Sequence, residues 1–194
     1  MLEYSDVIGV DEAGRGPLFG PVVAACVYIK DLNDEIFEKV NDSKKLTEKK
    51  RELIYDIITK SDKIVYAVGV ASSDEIDKLN ILNATFLAMR RALEKLDISG
   101  KLTLVDGNQL IRGYKGEQQF LIKGDSKNLA IALASIIAKV YRDHMLYEYD
   151  KKYANYGLAK HKGYGTKDHI EAIKEFGILP EHRKTFLKKI LGSD

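Results

Sequence analysis

The 194-residue chain carries 31 Lys and Arg against 29 Asp and Glu, a formal net charge of +2, with 45% hydrophobic and 31% charged residues. That balance excludes a disordered chain, and the length suits one domain with at most an appended subdomain. A single cysteine, Cys26, excludes an internal disulfide framework and a Cys-rich zinc module. The longest apolar runs, at 21–29 and 129–138, fall short of the roughly 20 residues a membrane helix needs. With Glu3 and Asp6 ahead of the first polar motif, no signal peptide is expected. The expectation is a cytoplasmic protein without a membrane partner, and a monomer.

In chain order, residues 7–10 read as a short buried strand running into a Gly-rich turn, and 22–29 as its antiparallel partner. Thr47 is an N-cap for a helix over 48–60, where Leu53, Ile54, Ile57 and Ile58 share a face. A third strand follows over 63–71, then helices over 74–80 and 82–96. Residues 102–105 form a strand that stops at Asp106, and 119–122 another that stops near Gly124 and Asp125. A long helix occupies about 127–149, with an apolar stripe and three alanines, Ala130, Ala134 and Ala138, small enough to let it lie close on a sheet. The remainder reads as loop plus two short helices, the first opened by Thr166 and ended by Gly177. This order implies an α/β fold: a mixed sheet covered by helices, not a strictly alternating βα wheel.

Charge is unevenly placed. Residues 151–194 hold ten Lys and Arg against five acids, a net +5, which leaves −3 for residues 1–150. A near-neutral total at first argues against a nucleic-acid partner, but an average is silent on distribution. A solvated Lys-rich tail explains the +5 as well as a phosphate-binding surface does.

The acids of the first part fall at one kind of boundary. Asp11 and Glu12 follow one apolar strand, Asp106 follows another, and Asp125 sits just ahead of the long helix. Any one of them alone reads best as a turn residue or cap; four together are harder to dismiss. If the first and fourth strands are neighbours, their carboxylates converge at one edge, and repelling carboxylates are tolerated there when divalent cations lie among them. Hard oxygen donors without a His or Cys cluster point to Mg²⁺ or Mn²⁺ rather than zinc. Such a set matches the two-ion arrangement that hydrolyses phosphodiesters. The four histidines, His144, His161, His169 and His182, lack tight metal-binding spacing and are expected at the surface or in structural roles.

Two basic loops stand near these acids in sequence. Gly14-Arg15-Gly16, with Gly20 beyond, is not a dinucleotide-binding loop: its third glycine is one residue late, and Pro21 leads into a strand. Glycines flanking an arginine instead allow close backbone approach to a ligand while the guanidinium grips a phosphate. Lys44 and Lys45 precede a helix start, where solvated loop charge and substrate contact are both open readings. In the loop 160–166, Tyr164 stands between glycines and basic residues; it either stacks on a base or sugar or anchors the loop.

These motifs together resemble ribonuclease HII, the type 2 ribonuclease H. The resemblance runs through Asp-Glu-Ala-Gly-Arg-Gly at 11–16, Asp-Ser-Lys-Lys-Leu at 42–46 and Val-Asp-Gly at 105–107. It continues through Lys-Gly-Asp-Ser-Lys at 123–127, Ala-Ser-Ile-Ile-Ala-Lys-Val-Tyr-Arg-Asp at 134–143 and His-Lys-Gly-Tyr-Gly-Thr at 161–166. Thr185 departs from the serine that family members commonly carry. The resemblance implies an RNase H-like five-stranded mixed sheet flanked by helices, with a catalytic core over 1–150 and a basic helical segment over 151–194 packed on it and contacting substrate. It implies that Asp11, Glu12, Asp106 and Asp125 hold two Mg²⁺ or Mn²⁺ ions, with Asp11 bridging them. It further implies that Gly14, Arg15 and Gly16 recognise the ribonucleotide, that Tyr164 packs on the neighbouring deoxynucleotide, and that Lys44 touches the backbone. The implied reaction cuts RNA–DNA hybrids, or duplex DNA containing ribonucleotides, on the 5′ side of the ribonucleotide, leaving 3′-hydroxyl and 5′-phosphate ends. Two other readings are a non-catalytic nucleic-acid module on a degenerate form of the fold, disfavoured by the presence of all four acids, and a related nuclease or recombinase acting on pure DNA.

Overall fold

The computed structural model describes residues 6–31 and 47–192. Lys44 and the rest of the motif at 42–46 lie outside the described residues. The five strands are β1 (Val7–Ala13), β2 (Val22–Ile29), β3 (Ile64–Ala71), β4 (Leu102–Asp106) and β5 (Gln118–Leu121). They form one sheet in the order β3-β2-β1-β4-β5. β1 pairs antiparallel with β2 and β2 with β3, whereas β4 runs parallel to both β1 and β5. The sheet is therefore mixed, as the element order implies, and β1 sits at its centre.

Helices cover both faces. α1 (Glu48–Lys60) is capped by Thr47, whose side chain accepts from the Lys50 N–H. α2 (Ser73–Leu79) opens on a capping box between Ser72 and Glu75, and α3 (Ile81–Leu96) follows at once. α3 packs on β3 and β2, where a side chain at Gly69 would meet the Ala88 carbonyl oxygen at 2.0 Å. The opposite face takes α4 (Leu129–Lys152), capped by Asn128 and running three residues beyond the predicted end. A Cβ at Gly9 would lie 2.2 Å from the Ala130 carbonyl carbon, so bare backbone on β1 and the alanines of α4 together set that close approach. One cluster between the sheet and α3 holds Ile8, Val10, Ala88 and Met89; a second, facing α4 and α1, holds Ala25, Val27, Leu133 and Ile137.

The chain after α4 departs in detail from the prediction of two helices. There are three: α5 (Leu158–His161), α6 (Lys167–Phe176) and α7 (Lys184–Leu191). The extra turn, α5, lies between Gly157 and Lys162, which are both left-handed and so stop it at each end. Thr166 caps α6 and Gly177 follows its last residue, as the sequence predicts. The segment buries Tyr156, Leu158, Ile173 and Leu187 against Leu18, Phe19 and Leu146, which ties it to the β1–β2 turn and to α4.

Candidate active site

Register determines where the acids go. Val10 of β1 lies opposite Val105 of β4 in the parallel pair, so Asp11 and Asp106 emerge next to each other at the same sheet edge. Successive residues of a strand face opposite ways. Ile8 and Val10 belong to the α3 side and Gly9 meets α4, so Asp11 faces α4 and Glu12 faces α3. Asp125 reaches the edge from a single 3₁₀ turn (Gly124–Ser126) that leads from β5 into α4.

Each carboxylate has a defined setting. Asp11 is buried, accepts from the Glu12 N–H at 2.7 Å and is hydrogen-bonded by Ser135 of α4. Asp106 accepts from the Gly124 N–H at 2.6 Å. Glu12 takes Nη1 of Arg15 at 3.2 Å. Burial pushes the carboxyl of Asp11 well above the usual range, and the charges of Glu12 and Asp106 raise it further. Burial also raises Glu12 and Asp106; the charge of Asp106 adds to the first and that of Asp125 to the second. The four acids thus form one chain of repelling groups. Among the described residues no three His, Cys, Asp or Glu side chains stand close enough to make a ready metal cage. Glu12 is held by Arg15 and Asp106 by the Gly124 N–H. The donor set is nevertheless all carboxylate oxygen with surplus negative charge, the combination that hard divalent cations take.

A cleft of about 350 Å³ opens beside the acids, lined among others by Glu12, Gly14, Asp125, Lys139, Arg142 and Tyr164. A smaller one of about 60 Å³ lies on the other side of Glu12, with Arg15 and Asp106 in its wall. Gly14 has φ +94° and its Cα faces the Arg142 side chain, leaving 2.2 Å between a Cβ built there and Nε; only glycine fits. The Tyr164 ring is half exposed and lies over Gly16, with Cε1 3.4 Å from where a Cβ would stand. Gly14 and Tyr164 therefore line the cleft with Glu12 and Asp125, Gly16 lies under the Tyr164 ring, and Arg15 lines the smaller cleft.

Other side chains at this site were invisible as site residues in the sequence. Arg142 and Arg183 are fully buried and hydrogen-bond the main chain of residues 14–21. Lys139 lies in the cleft and pairs with Asp143 at 2.6 Å. Of the surface and structural roles expected for the histidines, both occur: His161, His169 and His182 are buried and in contact beneath the Tyr164 loop, and only His144 is exposed. One signal for Arg142 was present. It continues the four-residue spacing of Ala130, Ala134 and Ala138 and precedes Leu146 on the same stripe.

Comparison with known proteins identifies the family and the fold. The family model described as Ribonuclease HII matches residues 8–189. The ribonuclease HII of Fusobacterium nucleatum is 57% identical over 198 residues, which cover 100% of this chain and 91% of that one. The crystal structure of the ribonuclease H2 from Pyrococcus horikoshii OT3 superposes with TM-score 0.73 at 27% identity, over 97% of this chain and 99% of that one. Bst-RNase HIII in complex with Mn²⁺ shares the fold, with TM-score 0.70 at 19% identity over 90% of this chain and 64% of that one.

Proposed function

The chain belongs to the ribonuclease HII family, the type 2 ribonuclease H hydrolases, and from that premise we propose that it nicks duplexes on the 5′ side of a ribonucleotide, in RNA–DNA hybrids or embedded in DNA, leaving 3′-hydroxyl and 5′-phosphate ends. The observation that carries this reading is the shared cleft: Glu12 and Asp125 line it together with Gly14 and Tyr164, so hydrolytic and ribose-reading groups meet on one substrate.

In this reading Asp11, Glu12, Asp106 and Asp125 hold two Mg²⁺ or Mn²⁺ ions. When bound, such cations supply Lewis acidity and offset charge developing on the phosphate. The buried Asp11 is held by the Glu12 N–H and Ser135, and Asp106 by the Gly124 N–H; these bonds keep both carboxylates at the edge despite their repulsion. Gly14, Arg15 and Gly16 bring bare backbone to the ribose. The 2′-hydroxyl is what separates RNA from DNA at one position, and a side chain on Gly14 would push the loop off Arg142. Arg15 holds Glu12 and stands beside the phosphate path. Tyr164, over Gly16, offers a ring face to the adjoining deoxynucleotide. The proposed role for Lys44 is a contact to the substrate backbone.

A duplex with one ribonucleotide, incubated with Mg²⁺ or Mn²⁺, tests this reading. Cleavage at that position is expected, abolished by EDTA and by replacing the ribose with deoxyribose. An intact ribonucleotide duplex, or cutting that persists in EDTA, refutes it. Equal cutting of the all-deoxy duplex favours the pure-DNA nuclease instead.

A further inference from the structure

Beneath the Gly14–Gly16 loop lie two buried guanidinium groups, Arg142, which also forms part of the cleft wall, and Arg183, which does not. Arg183 and Arg142 are 0% and 1% exposed, and among the described residues no carboxylate lies within ion-pair distance of either. Burial lowers Arg142 to about 10 and Arg183 to about 9, the latter also through the charge of Arg142. A buried charge costs several kcal/mol unless hydrogen bonds offset it. Here main-chain carbonyls supply them. Arg142 donates to Phe19, Pro21 and Lys162 at 3.0–3.1 Å. Arg183 donates to Gly20 at 2.9 Å, Arg15 at 2.9 Å, Gly14 at 2.5 Å and Pro21 at 3.2 Å.

The two contacts to Gly14 and Arg15 have a consequence on the other side of the loop. A peptide group is planar and trans, so its N–H points opposite to its C=O. Drawing the Gly14 and Arg15 carbonyls inward onto one rigid guanidinium turns the N–H groups of Arg15 and Gly16 outward, toward the rim shared with Tyr164. Arg183 is itself fixed at the entry to α7, whose first N–H groups bond Asp77 of α2: Lys184 N to Oδ2 at 2.8 Å and Thr185 N to Oδ1 at 3.0 Å. The planar fork of arginine spans neighbouring carbonyls in a way that a lysine ammonium does not.

We propose that Arg183 is a positioning residue for ribose selectivity: by holding the carbonyls of Gly14 and Arg15 it presents the N–H groups of Arg15 and Gly16 to the ribonucleotide. This rests on the reading that the Gly14–Gly16 loop meets the ribose. It assigns to the far C-terminal segment a part in selectivity that requires no contact with nucleic acid.

The test measures binding with cleavage blocked by Asp106→Asn, using two duplexes that differ only in one 2′-hydroxyl. In that background Arg183→Lys should weaken binding of the ribonucleotide duplex about tenfold, the worth of one good hydrogen bond. Affinity for the all-deoxy duplex should stay within about twofold, so the selectivity ratio falls. Equal weakening of both duplexes, or an unchanged ratio in a folded variant, overturns the proposal in favour of a purely structural arginine. If Arg183→Lys does not fold, Asp77→Ala, which loosens the start of α7, should lower the same ratio by about threefold, roughly half the free-energy worth of that hydrogen bond; an unchanged ratio there is equally fatal. A parent Asp106→Asn protein that binds both duplexes alike instead refutes the reading of the loop on which the proposal stands.

Discussion

Acidification should unlock the C-terminal segment, because the buried imidazoles of His169 and His182 are satisfied only when neutral. His161 Nδ1 accepts from the Gly163 N–H at 3.2 Å, so its Nε2 donates to the Tyr156 carbonyl at 2.7 Å. His182 Nδ1 accepts from the Leu179 N–H at 2.8 Å, so its Nε2 donates to His169 Nε2 at 3.1 Å; His169 Nδ1 then donates to the Tyr164 carbonyl at 2.8 Å. A further proton on the ring of His169 or His182 faces a donor. Burial accordingly lowers His169 and His182 to about 4, with the neighbouring imidazoles adding to it. In the unfolded chain both titrate near 6.5. Between these values the unfolded state binds more protons, so their stabilisation is complete above pH 6.5 and is lost as pH falls toward 4. Each ring accounts for about 3 kcal/mol, and the pair for less than twice that because part of the His182 shift is the charge of His169. The raised carboxyls of Asp11, Glu12 and Asp106 oppose this trend, since burial first and mutual repulsion second favour their protonated forms. The assay is therefore a difference: urea unfolding from pH 7.5 to 4.5 for the wild type and for His169→Gln/His182→Gln. The wild type should lose stability more steeply, by up to about 2.7 kcal/mol per pH unit for two protons. Equal slopes, or C2–H signals of His169 and His182 titrating near 6.5 in the folded protein, refute the reasoning.

Three substitutions probe the rest of the structure. Asp106→Asn keeps an acceptor for the Gly124 N–H but removes a repelling charge; cleavage should fall by more than about 100-fold, the upper cost of losing an outer metal partner alone, while the melting temperature in metal-free buffer rises. A melting temperature that drops would show that the acids do not repel as described. Gly14→Ala should cost at least about 1–3 kcal/mol through its positive φ and the clash with Arg142, and cleavage should fall more than the folded fraction does. Gly9→Ala, against the Ala130 backbone, should destabilise by about 1–3 kcal/mol or more in urea; a neutral result would mean that α4 does not rest on β1 as closely as stated.

The frame of the fold was legible because it is written in periodicities. Alternating and continuous β-branched runs mark β1 to β4, and the Thr47, Thr166 and Gly177 boundaries follow from capping chemistry that acts within a few residues. What periodicity lacks is long range. That β1 lies beside β4 was only a condition in the sequence, and the register of Val10 with Val105 is what brings Asp11 to Asp106. The single turn α5 escaped because four residues between two left-handed ones show no helical period. The histidines escaped for a different reason: residues 161, 169 and 182 have no common spacing, and only the packing of α6 on the segment around it stacks His161 on His169 at 4.3 Å.

Charge was the least legible property, at every level of averaging. The total of +2 conceals a segment at +5, and the segment count in turn conceals how its cations are placed. Lys151, Lys152, Lys160, Lys162 and Lys167 each stand within ion-pair distance of an acid: Glu148, Glu181, Asp168, Glu48 and Glu171. Exposed pairs of this kind contribute little to stability, yet they lower the field that a phosphate backbone would meet. Arg183 is not at the surface at all. Its charge, with that of Arg142, lies under the Gly14–Gly16 loop and across the cleft rim from the acids. A low-dielectric setting screens such charges less than water screens surface lysines. Two of the cations nearest the loop are thus buried arginines whose guanidinium nitrogens all donate to main-chain carbonyls, so they hold the loop in place from beneath.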